Sequence, residues 1–165
     1  MVNEAVVKDY LMRPGFACVP YEPTRIATVV SSGVAVTMYD KKRNFGGMAH
    51  FFRPYRENGL SNSKFAAPSI VSLYQMISKR GSTPYDLEAY LYGGAENYKS
   101  NRFNESISRN NITVGIEILD KLKIPIIGKD VGGNRGRKIV FHTGTGEVVV
   151  AKVDRIRESD WYMEV

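Results

Sequence analysis

The sequence predicts an α+β domain in which mainly antiparallel strands pack into a core and two main helices cover one outer face. Three observations predict it. Short apolar runs rich in Val, Ile, Phe and Tyr outnumber helical stretches, turn-sized connections join most of them, and only two segments carry an apolar stripe of helical period. At 165 residues the chain falls in the range of one unit, 1–165, with a core of its own.

The elements follow in order. Strands are expected near 16–21, 25–30, 34–39 and 47–52, and the polar stretch from Asp40 to Asn44 makes the last two a hairpin. From Arg53 to Lys64 turn residues prevail without periodicity, which predicts a surface loop. A first helix places Pro68 in its opening turn, repeats Ile70, Leu73, Tyr74 and Ile77 at helical spacing, and stops by Gly81. Residues 87–92 alternate as a strand into Gly93-Gly94. A second helix, roughly 109–122, carries Ile112, Ile116, Leu119 and Leu122 on one stripe, with Gly115 inside it costing about 1 kcal/mol relative to alanine. Strands at 124–127, 138–142 and 147–153 complete the reading, the last two joined as a hairpin through Thr143 to Gly146.

Composition narrows the function classes. Hydrophobic residues at 43% and charged residues at 24% describe a folded chain without disorder, and no apolar stretch is long enough to span a bilayer. The first residues lack the apolar run of a signal peptide, so a cytoplasmic protein is expected. The single cysteine, Cys18, excludes an intrachain disulfide and a cysteine-rich zinc site. The net charge of +6 is spread along the chain, with density only at Lys41 to Arg43 and at Arg135 to Lys138, each beside turn residues. Solvated loops explain such clusters better than a nucleic-acid groove, and an acidic protein partner suits them equally.

Chemistry-bearing residues are few. The glycine-rich stretch from Val131 to Gly136 leads into a strand, whereas a phosphate-binding loop opens a helix, so it reads as a turn with positive φ values. His142 precedes a turn and receives no role. No cofactor or metal is expected.

One region carries more. Ser31 to Asp40 (SSGVAVTMYD), followed by Gly46 to Pro54 (GGMAHFFRP), resembles the signature of the CheD family of chemoreceptor glutamine deamidases. That family reads Gly-Ser-Cys-Val-Ala-Val and then Gly-Gly-Leu/Met-Ala-His. The resemblance continues through Gly93-Gly94-Ala95, Asn111, Ile124-Pro125-Ile126, the run from Gly132 to Lys138, and Thr145 to Val148.

The resemblance implies a three-layer α/β/β sandwich related to toxin deamidases of the cytotoxic necrotizing factor type. It implies hydrolysis of specific glutamine side chains on methyl-accepting chemoreceptors, and a CheC-type phosphatase as partner. Contact with the membrane would come only through the receptors, the chain would be a monomer, and nucleic acid would not be a partner. In the family chemistry a cysteine attacks the amide carbon, and a histidine takes the thiol proton and delivers it to departing ammonia.

Carried over without gaps, the histidine falls on His50 and the nucleophilic cysteine on Gly33, which has no side chain to attack with. The family threonine that positions the histidine falls on Ala27, or on Thr28 if the register slips by one, a slip that reverses the face of the strand. Ser32, beside the vacant position, is a candidate for substrate contact. Ser31 stands two residues back and Cys18 lies in another strand, so neither is an expected substitute nucleophile.

Two functions compete: a family enzyme nearly inactive for want of its nucleophile, and a non-catalytic adaptor that grips receptor helices or CheC. Binding of nucleic acid through the basic loops is a third, and strongly salt-dependent association with generic DNA would reveal it.

Overall fold

Alternation in Thr24–Val30 puts Thr24, Ile26, Thr28 and Val30 on one face of a strand, and this face is buried. The structure, a computed structural model, describes residues 6–96, 105–154 and 156. It contains strands β1 (Lys8–Leu11), β2 (Ala17–Cys18), β3 (Thr24–Val30), β4 (Val34–Asp40) and β5 (Phe45–Phe51), then helix α1 (Ala66–Ser78) and β6 (Leu87–Gly93). Helix α2 (Glu105–Lys121) and strands β7 (Ile126–Val131), β8 (Gly136–His142) and β9 (Val148–Val153) follow.

The expected α+β class holds, with two helices and two mixed sheets among the described residues. One sheet runs β1-β3-β8-β9 and the other β2-β5-β4-β6-β7. Pairing is antiparallel except for β1 on β3 and β6 on β7. Two apolar clusters lie in the fold. One joins Val34, Val36, Phe51 and Leu91 of the five-stranded sheet to Ile70, Leu73 and Ile77 of α1 and Leu119 of α2. The other joins Ile26, Val30, Ile139 and Phe141 to Ala35, Met48 and Tyr92 of the facing sheet. Strands β4 and β5 are buried along nearly their whole length because side chains leave both faces into apolar surroundings.

Four expectations shift. Strand β1 was not anticipated: its residues, KDYL, are mostly exposed, so an edge strand shows no alternating apolar pattern. The strand expected at 16–21 contracts to Ala17–Cys18, paired with Ala49 and Met48, because Pro20 cannot donate to a ladder. Strand β7 extends to Val131, carried by parallel pairing with β6 that leaves no turn-coded hairpin in the sequence. In α2 the fully buried face is Ser108, Asn111, Gly115 and Leu119, rotated from the expected stripe, of which Ile112 and Ile116 are half-buried. A Cβ on Gly115 would lie 3.3 Å from both Leu91 Cδ2 and Phe51 Cζ, so the glycine admits the sheet to the helix.

The β4–β5 hairpin closes on Asp40, which is fully buried. Its Oδ1 accepts the backbone N–H groups of Lys42 (2.8 Å) and Arg43 (2.9 Å). Its Oδ2 accepts Arg43 Nη1 (2.9 Å) and Ser82 Oγ (2.5 Å). Burial raises the carboxyl pKa, but the donors from Ser82, Arg43 and Lys42 outweigh it and hold it below the ordinary value. Asp40→Ala strands these donors and an arginine charge, and is expected to cost about 3 kcal/mol or more in urea unfolding.

Four cations of the basic clusters are paired within the chain. Lys41 pairs with Glu88, Arg43 with Asp40 and Asp86, Arg135 with Asp154, and Arg137 with Asp130. No helix among the described residues is long and apolar enough to cross a membrane.

Candidate functional site

The inward face of β3 meets the inward face of β5 across the two sheets, and this brings Thr28 to His50. Both are buried, at 1% and 2% exposure. Thr28 Oγ1 donates its one hydrogen to the carbonyl of Met12 (2.8 Å) and stands 2.9 Å from His50 Nδ1. With that hydrogen committed, the hydroxyl oxygen accepts from Nδ1–H, so Nε2 is the nitrogen that keeps its lone pair. Burial alone pushes the His50 pKa down to about 3, so the ring is neutral near pH 7.

Of the two positions expected for the threonine, Thr28 is the one beside the histidine. Ala27 pairs with Val140 and Leu11 on the outward parity of β3, and Thr28, the one-residue alternative, faces the histidine. The physical reason is strand parity: Ile26, Thr28 and Val30 share the buried face. Counting backward from Gly33 passes through the Ser31–Gly33 bend, where a one-residue difference in length disturbs neither strand.

His50 is fixed along β5 as well. It pairs with Ala35, its backbone N–H donates to Phe16 O (2.9 Å), and its carbonyl accepts Gly15 N–H (2.7 Å). Nε2 points to the turn that joins β3 to β4. A Cβ built on Gly33 would lie 3.1 Å from Nε2, but also 2.8 Å from the carbonyl oxygen of Phe51 and 3.2 Å from Phe52 Cβ. Gly33 and His50 are thus adjacent in space. Cys18 sits against Met48 in β2–β5 pairing, half-buried, with its thiol pKa raised by burial. Ser32 is exposed at the rim.

A cleft of about 370 Å³ opens at Ser31, Ser32, Gly33 and His50, with apolar walls from Pro14, Val29, Phe52 and Ile156. Among the described residues no cluster of His, Cys, Asp or Glu could hold a metal ion.

The turn itself is held from behind. Ala95 N–H donates to Ser31 O (2.7 Å), Asn111 Nδ2 to Ser32 O (3.0 Å), and Gly94 N–H to Gly33 O (2.8 Å). Gly93 and Gly94 have φ of 113° and 66°, and a Cβ on Gly93 would fall 2.3 Å from Gly33 O, so only glycine permits this approach. Asn111 escaped the sequence reading as a site residue, although a polar residue on the buried face of an amphipathic helix was a signal for it.

Thr28→Val keeps the shape and removes the hydroxyl. It leaves Met12 O and His50 Nδ1–H without their partner and is expected to lower stability by about 1–3 kcal/mol in thermal or urea unfolding.

Comparison with known proteins places the chain in a lineage. The family model "CheD chemotactic sensory transduction" matches residues 54–152. A "probable chemoreceptor glutamine deamidase CheD 1" of Anaeromyxobacter dehalogenans is 32% identical over 142 residues, 86% of this chain and 83% of that protein. A protein named likewise from Sulfurimonas denitrificans is 34% identical over 142 residues, covering 83% of this chain and 89% of the relative. One from Caldanaerobacter subterraneus is 32% identical over 155 residues, covering 89% and 96%. The family-model match begins after Thr28, Gly33 and His50. The Anaeromyxobacter alignment covers too much of the chain to leave these three residues out. The chain belongs to the CheD family.

Proposed function

We propose that this chain is a chemotaxis protein whose cleft at Gly33 and His50 receives glutamine side chains of methyl-accepting chemoreceptors, and that Gly33 makes it nearly inactive as a deamidase. One observation carries the reading: Nε2 of a threonine-anchored histidine lies 3.1 Å from where the Cβ of residue 33 would stand. With cysteine there, Nε2 would take the thiol proton as sulfur attacks the amide carbon. The same nitrogen would return the proton to the leaving ammonia, and water would hydrolyse the thioester to glutamate. With glycine there is no atom to form the covalent bond. Ser32, at the rim, would contact the substrate.

The rest of the reading is a single domain over 1–165, working in the cytoplasm as a monomer, with a CheC-type phosphatase as its partner. Apolar clusters involving both faces of the five-stranded sheet support a three-layer α/β/β arrangement; kinship with toxin deamidases rests on the family resemblance alone. The test is to incubate the chain and Gly33→Cys with receptor cytoplasmic fragments and to score glutamine-to-glutamate conversion by mass spectrometry. Conversion by the unmodified chain would overturn the assignment of Gly33.

A second reading, a non-catalytic adaptor for receptors or CheC, is favoured by a different distance. The Cβ of any residue at 33 would stand 2.8 Å from Phe51 O, closer than real Cβ atoms approach, so the strands have closed around glycine. An unmodified chain that binds receptor fragments, with a Gly33→Cys variant that folds, binds and converts nothing, would decide for the adaptor.

A further inference from the structure

The two lips of the cleft belong to different strands. One is the Ser31–Gly33 turn before β4, and the other is the end of β5 at His50 and Phe51 with Phe52 just after it. The β4–β5 ladder holds His50 opposite Ala35 and ends at the pair Val34 and Phe51, so Gly33 and Phe52 lie just beyond it, where no pairing between these two strands sets their spacing.

One side chain spans this gap. Asn111, fully buried on α2, directs both N–H groups of its amide at carbonyls from the two lips: Ser32 O at 3.0 Å and Phe52 O at 3.3 Å. Among the described residues its own Oδ1 is buried without a hydrogen-bond partner. A buried acceptor left unsatisfied is unfavourable, so the amide is not optimised for its own hydrogen bonding. A hydrophobic residue would avoid that penalty but would offer no donor to either carbonyl.

The helix is anchored to the same region. Ser108 Oγ donates to Ala95 O (2.9 Å), and Ala95 N–H in turn holds Ser31 O (2.7 Å). Helix α2 and residues 94–95 therefore form one support behind the turn that carries Gly33.

We infer that Asn111 is a positioning residue: its amide clamps Ser32 O and Phe52 O and so fixes the distance between residue 33 and His50 Nε2. The inference rests on the reading of positions 33 and 50 as a nucleophile and base pair, and it adds what sets their separation. Asparagine fits the task because one NH₂ group offers two donors in a fixed plane. Aspartate has the same shape and no donor when ionised, and it places negative charge against two carbonyl oxygens.

The test uses thiol chemistry, which does not depend on the receptor. In the full chain carrying Gly33→Cys and Cys18→Ala, the rate of alkylation by iodoacetamide is followed from pH 5 to pH 10. A cysteine paired with His50 is expected to react well below the ordinary thiol titration near pH 8.5, and His50→Ala returns it to that range. Adding Asn111→Asp is expected to shift the profile toward ordinary thiol behaviour and to lower the rate at pH 7 by about tenfold. Asn111→Ser, smaller and still a donor to one carbonyl, is expected to fall between the two and serves if the aspartate variant does not fold. Circular dichroism at the assay temperature confirms that each variant is folded.

A folded Asn111 variant that keeps the full low-pH reactivity overturns the inference. A profile insensitive to His50 overturns both the pair and the clamp. A reactive, Asn111-dependent thiol at position 33 that converts no receptor glutamine leaves the clamp standing and refutes the proposed substrate instead.

Discussion

Gly33→Cys is expected to raise glutamine conversion on receptor fragments from background to a rate dependent on His50, a gain of several orders of magnitude. Removal of the nucleophile from a comparable hydrolytic constellation costs on the order of 10⁶ in turnover, which sets the upper end. Geometry sets the discount. The new Cβ meets Phe51 O at 2.8 Å and Phe52 Cβ at 3.2 Å, so the end of β5 must give by a few tenths of an ångström. Phe51 is fully buried against α2, and this strand end cannot move without disturbing the core. Overpacking of this kind costs typically 1–3 kcal/mol. The variant should therefore be both more active and less stable than the unmodified chain, measurable by mass spectrometry and urea unfolding on the same preparations. In the same background His50→Ala should return conversion to background, because an unprotonated amine is a poor leaving group.

Acidification is expected to destabilise the chain through His50, well above the pH at which carboxylates matter. The histidine titrates near 6.5 when unfolded and is pushed down to about 3 when folded, because burial penalises its charged form. Between those values the unfolded state binds a proton that the folded state refuses, so stability is full above pH 6.5 and is lost as the pH falls toward 3. From pH 7 to pH 4.5 the loss is about 2–3 kcal/mol, at 1.36 kcal/mol for each unit below 6.5. Carboxylates held below their ordinary value, such as Asp40 and Asp86, lose their contribution only at lower pH. Urea unfolding at the two pH values should show this loss in the unmodified chain and little of it in His50→Gln. Equal losses in both proteins would mean that the ring titrates near its ordinary value and that the site is open to water.

Most elements were legible in the sequence because their signals are local. Short apolar runs such as Thr24–Val30 and Val34–Asp40, the polar turn from Asp40 to Asn44, and the stripe Ile70, Leu73 and Ile77 each lie within a stretch of about a dozen residues or fewer. The elements that escaped are set by distant partners. Strand β1 exists because β3 offers an edge, and the second half of β7 exists because β6 offers a parallel one. Neither needs an apolar alternation of its own.

The candidate site divides in the same way. The sequence by itself determined that His50 and Gly33 flank a hairpin whose signature resembles the CheD family, and that Gly33 brings no nucleophile. Tertiary structure alone decided which residue holds the histidine. Thr28 reaches His50 only because the two sheets stack face to face, and the buried parity of β3 turns Thr28, not Ala27, toward the ring. It also decided that Asn111, distant in sequence from both lips, lies behind them, and that Phe51 O crowds the Cβ position of residue 33. Chain order records which residues are available; strand pairing, sheet stacking and helix docking fix their distances, and the chemistry depends on distances.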